Sequence, residues 1–127
     1  MHSFTATAKM YSNTPEQERL DTELLDAVSG NPTPEDIERL LKNGANPDAQ
    51  DRDGNTALLF ACQNRRISPQ RLFTIIQILL NAGSYVNAQI QGGPTALMSA
   101  CANPNALPET IRALLDKGAD PNIQNNL

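Results

Sequence analysis

The chain of 127 residues contains no tryptophan, two cysteines and a single histidine, and aromatic residues make up only 4% of it. So few aromatic side chains argue against a platform for stacking nucleic-acid bases. The one histidine, His2, lies at the terminus, so a Ser-His or Cys-His catalytic pair has no credible base. The sequence also lacks the glycine-rich phosphate loop, the nucleophile elbow and the dinucleotide-binding fingerprint. These absences predict a protein with no catalytic site of its own.

Charge and hydropathy exclude further classes of partner. Ten Lys and Arg residues against fourteen Asp and Glu give a net charge of −4, whereas proteins that bind nucleic acid or anionic membranes cluster cations. No apolar run approaches the ~18–20 residues that span a bilayer, and residues 1–10 lack the apolar core of a signal peptide. Two cysteines cannot build a disulfide framework, so we expect reduced thiols in the cytoplasm, with the nucleus or a host-cell cytosol as alternatives. We expect neither a cofactor nor a metal site.

The dominant positive feature is an internal repeat. Two segments, GNTALLFAC at 54–62 and GPTALMSAC at 93–101, match closely and lie 39 positions apart. A second series, LLKNGANPD, LLNAGSYVN and LLDKGADPN, begins at residues 40, 79 and 114. The Thr-x-Leu segment comes before the Leu-Leu-x-x-Gly segment, and a polar stretch follows. Repetition in this order predicts an array of similar structural units.

Each unit is predicted to contain two short helices. In the first helix the apolar residues recur at i, i+3 and i+4, and a threonine two positions before the leucine is placed to cap it. The second helix begins with a proline in all three units, which suits the first helical position. It should end at Gly44, Gly83 or Gly118, where a left-handed backbone favours glycine. A polar stretch with a glycine-containing dipeptide then indicates a tight hairpin.

These segments resemble the ankyrin repeat, with full repeats at 54–87 and 93–122 and a degenerate one at 22–48. The resemblance covers about residues 20–127. It implies an all-α fold, an ankyrin-type helix–turn–helix repeat solenoid with connecting β-hairpin-like loops. Two features depart from the family pattern. The proline and histidine of its Thr-Pro-Leu-His motif are replaced by alanine and by leucine or methionine, and the loops at 63–68 and 102–107 are longer than usual.

Stacking of neighbours supplies the core of such an array, so the end units should differ from the middle one. Residues 15–28 are predicted to form a polar capping helix. The chain stops inside a further hairpin. We expect a fragment of a longer protein, because an uncovered repeat face favours aggregation, with a protein that ends on an exposed apolar face as the alternative. The expected organisation is a tail at 1–13 and a repeat array at 14–127, divided into a capping or first repeat at 14–48, a second at 49–87, a third at 88–122 and the start of a hairpin at 123–127.

The resemblance implies a non-catalytic module that binds a partner protein or peptide on a concave face formed by hairpin tips and first helices. The alternative is a targeting segment of a larger enzyme or effector whose catalytic domain lies outside this chain. We expect a monomer that binds neither nucleic acid nor membrane, with weak self-association through the uncapped C-terminal repeat as an alternative. The residues predicted to contact the partner are Arg52, Asp53, Asn55, Gln63, Asn64, Tyr85, Ile90, Gln91, Pro94 and Asn103.

Several positions have a second, structural interpretation. Tyr85 suits either a binding anchor or packing against the neighbouring hairpin, and Ile90 suits either an inter-repeat contact or the partner site. Arg65, Arg66 and Arg71 form a basic cluster that we expect to be solvated, with docking to an acidic partner segment as the alternative.

The two cysteines occupy equivalent positions in successive repeats. We expect Cys62 and Cys101 to be buried core residues, because helices pack ~8–10 Å apart and a disulfide needs a Cα spacing of ~5.5–6 Å. Asn87 and Asn122 match the family's hairpin asparagine, which the resemblance assigns to bonds between adjacent loops.

Overall fold

The computed structural model describes residues 14–124, which fold into six α-helices joined by turns and hairpin loops. In each of three successive units a first helix is followed by a second. α1, α3 and α5 form an inner row, and α2, α4 and α6 form an outer row packed against it. This arrangement confirms the predicted all-α solenoid of helix–turn–helix units. The helices are α1 (Pro15–Ser29), α2 (Pro34–Lys42), α3 (Ala57–Gln63), α4 (Pro69–Asn81), α5 (Ala96–Ala102) and α6 (Pro108–Asp116).

The helix boundaries follow from local sequence. A proline occupies the first turn of α1, α2, α4 and α6, where its missing N–H would have no intrahelical partner. Thr56 and Thr95 cap α3 and α5, each hydroxyl accepting a hydrogen bond from the N–H three residues later at 3.3 Å. Gly44, Gly83 and Gly118 follow the outer helices with φ of 108°, 97° and 95°, values that L side chains rarely adopt. The predicted threonine caps and terminating glycines are confirmed.

The apolar core lies between the two rows of helices. Neither row could enclose these side chains alone, since each presents one apolar face to the other. The inner helices also contribute small residues, such as Ala61 and Ala100, that allow close packing between units. The largest fully buried apolar side chains are those of Leu24, Val28, Ile37, Leu58, Leu59, Ile67, Leu72, Ile75, Ile76, Leu79 and Leu114.

The first unit differs from the others at its outer surface. The predicted helix over residues 15–28 is observed as Pro15–Ser29 and places Glu16 and Glu18 in its first turn, near the positive end of the helix dipole. The predicted tail at 1–13 and the last three residues of the predicted further hairpin lie outside the described residues. None of the helices within 14–124 has the length and the apolar character needed to cross a bilayer.

The third unit leaves apolar groups exposed. Leu115 is 45% exposed, whereas its equivalent in the second unit, Leu80, is 5% exposed. Likewise Cys101 is exposed although its equivalent Cys62 is buried. The prediction that Cys101 is a buried core residue is therefore wrong. Within residues 14–124 no helix pair packs on the far side of α5 and α6, so nothing there covers them.

Two adjacent leucines of α6 test whether stacking supplies the stability. Leu114→Ala should lower the free energy of unfolding by about 2–5 kcal/mol, because Leu114 is fully buried and its removal leaves a cavity. Leu115→Ala is the matched control and should cost less than about 1 kcal/mol, since this side chain is half in solvent. Urea unfolding followed by circular dichroism measures both. Equal losses would contradict the packing described here.

The two thiols should differ in reactivity. Burial raises the pKa of Cys62 to about 12, with a smaller contribution from the nearby Cys101, so Cys62 stays protonated and enclosed at pH 8. We expect one thiol to react with Ellman's reagent in the native chain and both to react in guanidinium chloride. The Cys101→Ser variant should show no reactive thiol until it is unfolded. Rapid reaction of both thiols in the native wild type would exclude a buried Cys62.

Candidate partner-binding surface

Two asparagines join the inner helices of successive units. Asn64 Nδ2 donates hydrogen bonds to the carbonyl oxygens of Val28 and Gly30, at 2.9 and 2.8 Å. Asn103 Nδ2 likewise donates hydrogen bonds to the carbonyl oxygens of Cys62 and Asn64, both at 3.0 Å. These carbonyls lie at the ends of α1 and α3, where a helix leaves backbone oxygens without intrahelical partners. The asparagines therefore complete the helix ends and fix the spacing of the units.

This role changes the interpretation of two predicted partner contacts. Asn103 is 5% exposed, so little of its side chain remains open to a partner, and Asn64 is half-buried. Both side-chain N–H groups of each amide are directed to the preceding unit. Asparagine recurs at these two equivalent positions, 39 residues apart, and that recurrence was the available sequence signal for a structural role.

The two long inter-helix loops also hold each other. Asn105 Nδ2 donates to the carbonyl oxygens of Arg65 at 2.8 Å and Ile67 at 3.0 Å. In return, Arg65 Nη2 donates to the carbonyl oxygen of Ala102 at 3.3 Å. The loops that depart most from the family pattern are thus tied together by hydrogen bonds across the unit boundary.

A second series of bonds joins the hairpins on the other side of the stack. In each case a side-chain oxygen accepts the N–H of the residue two positions after a terminating glycine. In the second and third units this oxygen belongs to the hairpin of the preceding unit. In the first unit it belongs to Asp21 of α1. The pairs are Asn46 to Asp21 (2.8 Å), Tyr85 to Asp48 (2.7 Å) and Asp120 to Asn87 (2.8 Å).

The same series explains Tyr85 and Asn87. The backbone of Tyr85 is held by Asp48 while the residue remains 61% exposed, so packing against the neighbouring hairpin is not its main contact. Asn87 Nδ2 also donates to the carbonyl oxygen of Gly118 at 3.1 Å. The structural role that the family resemblance assigned to Asn87 is confirmed.

Two other predicted contacts belong to the hairpin framework. Ile90 is half-buried and packs beside Gly54, where a Cβ would lie 3.5 Å from its Cγ2 atom. The N–H of Asn55 donates to Asp51 Oδ1 at 2.9 Å, and the Asp51 N–H donates to the Asn55 carbonyl oxygen at 3.0 Å. Ile90 thus makes the inter-repeat contact, and the backbone of Asn55 closes its hairpin.

Three connected depressions run along the inner row of helices, and we call them together the inner groove. The first, of about 580 Å³, lies between α1 and the hairpin at residues 50–52. The second, of about 400 Å³, shares Ser29 and Phe60 with the first. The third, of about 310 Å³, shares Gln63 and Arg65 with the second. The inner groove therefore crosses all three units.

The inner groove separates the predicted contacts into two sets. Those that line it are Arg52, Gln63, Asn64, Pro94 and Asn103. Those outside it are Asp53, Asn55, Tyr85, Ile90 and Gln91. Sequence reasoning missed the apolar floor, formed by Leu25, Phe60 and Met98. Phe60 is only half-buried, although most residues of α3 are buried. An aromatic residue on that helix was the sequence signal that could have identified it as part of the groove.

The groove offers contacts suited to binding. Its first part carries Glu18, Asp26 and Asp51 beside Arg52, and its second part carries Arg65 and Arg66. Residues 14–124 include no histidine, and no three of their Cys, Asp or Glu side chains gather closely enough to hold a metal ion. An apolar floor with charged margins is an arrangement typical of protein interfaces.

Comparison with protein families agrees with this architecture. The family model described as Ankyrin repeats (3 copies) matches residues 24–125, which is most of the chain. The protein therefore belongs to the ankyrin repeat family, whose members are in general protein–protein interaction modules. A search of curated proteins found no match.

Removal of one inter-repeat amide tests its structural role. Asn103→Ala should lower the free energy of unfolding by about 1–3 kcal/mol, because the buried carbonyl of Cys62 loses its donor. Gln91→Ala, at an exposed hairpin position, is the control and should change the free energy by less than about 0.5 kcal/mol. Chemical denaturation monitors both. A neutral effect of Asn103→Ala would show that the bond adds nothing to the stacking.

Proposed function

We propose that this chain is a non-catalytic recognition module that binds another protein or a peptide in the inner groove. The observation that carries the proposal is the continuity of the groove across three units. It is bounded by hairpin residues 50–52 at one end and by α1, α3 and α5 along its length. A bound segment would contact several units at once, which is the way an elongated stack can build a large interface.

The composition of the groove supports binding of a polypeptide. Phe60 lies where the first two depressions meet, and a half-buried aromatic ring offers a large contact area at little cost in conformational entropy. Leu25 and Met98 add further apolar surface along the groove, and the rest of the lining carries amides and charges, so both side chains and backbone of a partner find complementary groups.

Preorganisation also favours this surface. Asn64 and Asn103 tie the ends of the inner helices together directly beside the groove. Since these groups are already ordered, little side-chain freedom is lost when a partner binds. The alternative of a targeting segment within a larger enzyme would use the same groove, and no contact among residues 14–124 favours it. The cytoplasmic location stays a prediction.

The test introduces a bulky side chain at Gln63, where two of the depressions meet. Gln63 is exposed and lines both the second and the third depression, so Gln63→Trp should obstruct a partner without disturbing the core. In affinity capture from cells of the source organism, proteins retained by the wild-type chain should be lost with this variant. Quantitative mass spectrometry of the captured fraction gives the measurement.

The matched control places the same substitution on the outer row. Gln77 on α4 is also exposed but does not line the groove, so Gln77→Trp should retain the partner. Both variants should keep the wild-type circular dichroism spectrum. Loss of the partner with Gln77→Trp and its retention with Gln63→Trp would assign binding to the outer face and reject the proposal.

A further inference from the structure

The charges of this protein are divided along the chain. Residues 14–53 carry eleven acidic and four basic side chains, a net charge of −7. Residues 54–108 carry no acidic side chain at all and three arginines, a net charge of +3. Residues 54–108, which hold most of the second unit and the first part of the third, therefore form a cationic region beside a strongly acidic segment at 14–53. No aspartate or glutamate within that region is available to pair with its arginines.

The three arginines have different surroundings. Arg71 is half-buried, and its Nη1 donates to Asn31 Oδ1 at 3.0 Å, so it is engaged in the structure. Arg65 is exposed and leans across the unit boundary toward the Ala102 carbonyl at 3.3 Å. Arg66 is exposed, and its guanidinium has no hydrogen-bond or ion-pair partner among residues 14–124. The ion pairs found in that part of the chain join residues within α1 or within α2.

Arg65 and Arg66 stand at the margin of the inner groove. They line its second depression of about 400 Å³ together with the half-buried ring of Phe60. Gln63 and Asn64 complete the margin between them and α3. Two cations without carboxylate partners thus lie next to an exposed part of an aromatic ring. A ligand that pairs with the cations also reaches the ring.

We infer that the segment bound by the groove carries an aspartate or glutamate that pairs with Arg65 and Arg66, next to a bulky apolar residue that packs on Phe60. The inference rests on the proposed function and specifies the chemistry of the partner. A guanidinium binds a carboxylate by two parallel hydrogen bonds, and the ring of Phe60 in the same depression offers a contact for the adjacent apolar residue. The acidic residues at the α1 end of the groove repel the carboxylate and so set the direction of the bound segment.

A carboxylate fits this place better than a phosphate. Arg65 and Arg66 follow the C-terminal end of α3, where the helix carries partial negative charge. No helix begins at the depression to offer free N–H groups, which are the usual partners of a phosphate.

The test begins with a phage-displayed library of random linear peptides selected on the full 127-residue chain. We expect the enriched peptides to contain Asp or Glu adjacent to a large apolar residue. An enriched peptide is then synthesised with a fluorescent label, and its dissociation constant is measured by fluorescence polarisation. Arg65→Gln/Arg66→Gln should weaken binding at least tenfold, or about 1.4 kcal/mol. Replacement of the peptide's acidic residue by its amide should cause a similar loss, and combining both changes should add little.

Matched controls distinguish the loss of a local ion pair from an effect of the total charge on the affinity. Arg112→Gln/Lys117→Gln on and after α6 removes the same two charges far from Arg66 in sequence and outside the groove, and should change the affinity less than twofold. Arg66→Gln alone leaves the Arg65–Ala102 hydrogen bond in place. If the double variant folds poorly, the affinity of this single variant provides the test. Equal weakening by both charge pairs would reject a local carboxylate site.

The remaining outcomes distinguish this inference from the proposed function. If the enriched peptides bind in a manner blocked by Gln63→Trp but carry no carboxylate, the acidic ligand is wrong and the groove remains the binding site. If phosphoserine in place of the acidic residue binds more than tenfold tighter, a phosphopeptide is the ligand and the inference fails. If no peptide depends on Gln63, both the inference and the proposed function are overturned.

Discussion

The structure depends on apolar contact between successive helix pairs. α3 and α5 have only 7 residues each, and helices of that length are not stable alone in water. Five of the seven residues of α3 are buried, because α1, α4 and α5 surround it. α5 has the same sequence pattern, but within residues 14–124 an inner helix packs on one side of it only, and its Cys101 remains exposed. The stability of each unit is therefore a property of its neighbours as much as of its own sequence.

Such stacking creates a second requirement, which the asparagines meet. Helices that end against each other leave carbonyl oxygens near the boundary between units, and a buried carbonyl without a donor is costly. Asn64 and Asn103 each supply two donors to the preceding unit. On the hairpin side, Asp48 and Asn87 accept backbone N–H groups of the following unit. Polar side chains therefore hold the register of the stack on both of its sides, while the apolar core lies between them.

The inner groove is a consequence of the same framework. Because the amides beside it are directed to the backbone, the groups that remain for a partner are the ring of Phe60, the exposed Gln63 and the charged side chains at the margins. Their charges are separated, with acidic groups at α1 and arginines after α3. A surface of this kind selects partners by the position of charge along a segment and obtains its affinity from the apolar contact at the centre.

The sequence alone determined the helix pairs, their proline and threonine starts, their glycine ends and their assignment to the ankyrin type, because these features depend on residues a few positions apart. It also identified Arg52, Gln63 and Pro94, which line the groove. Only the tertiary structure decided the direction of Asn103, the exposure of Leu115 and the position of Phe60. An amide, a leucine or a ring at a given helix position is buried or exposed according to the unit that packs beside it. For Asn103 that unit lies about forty residues away along the chain, beyond the reach of any local pattern.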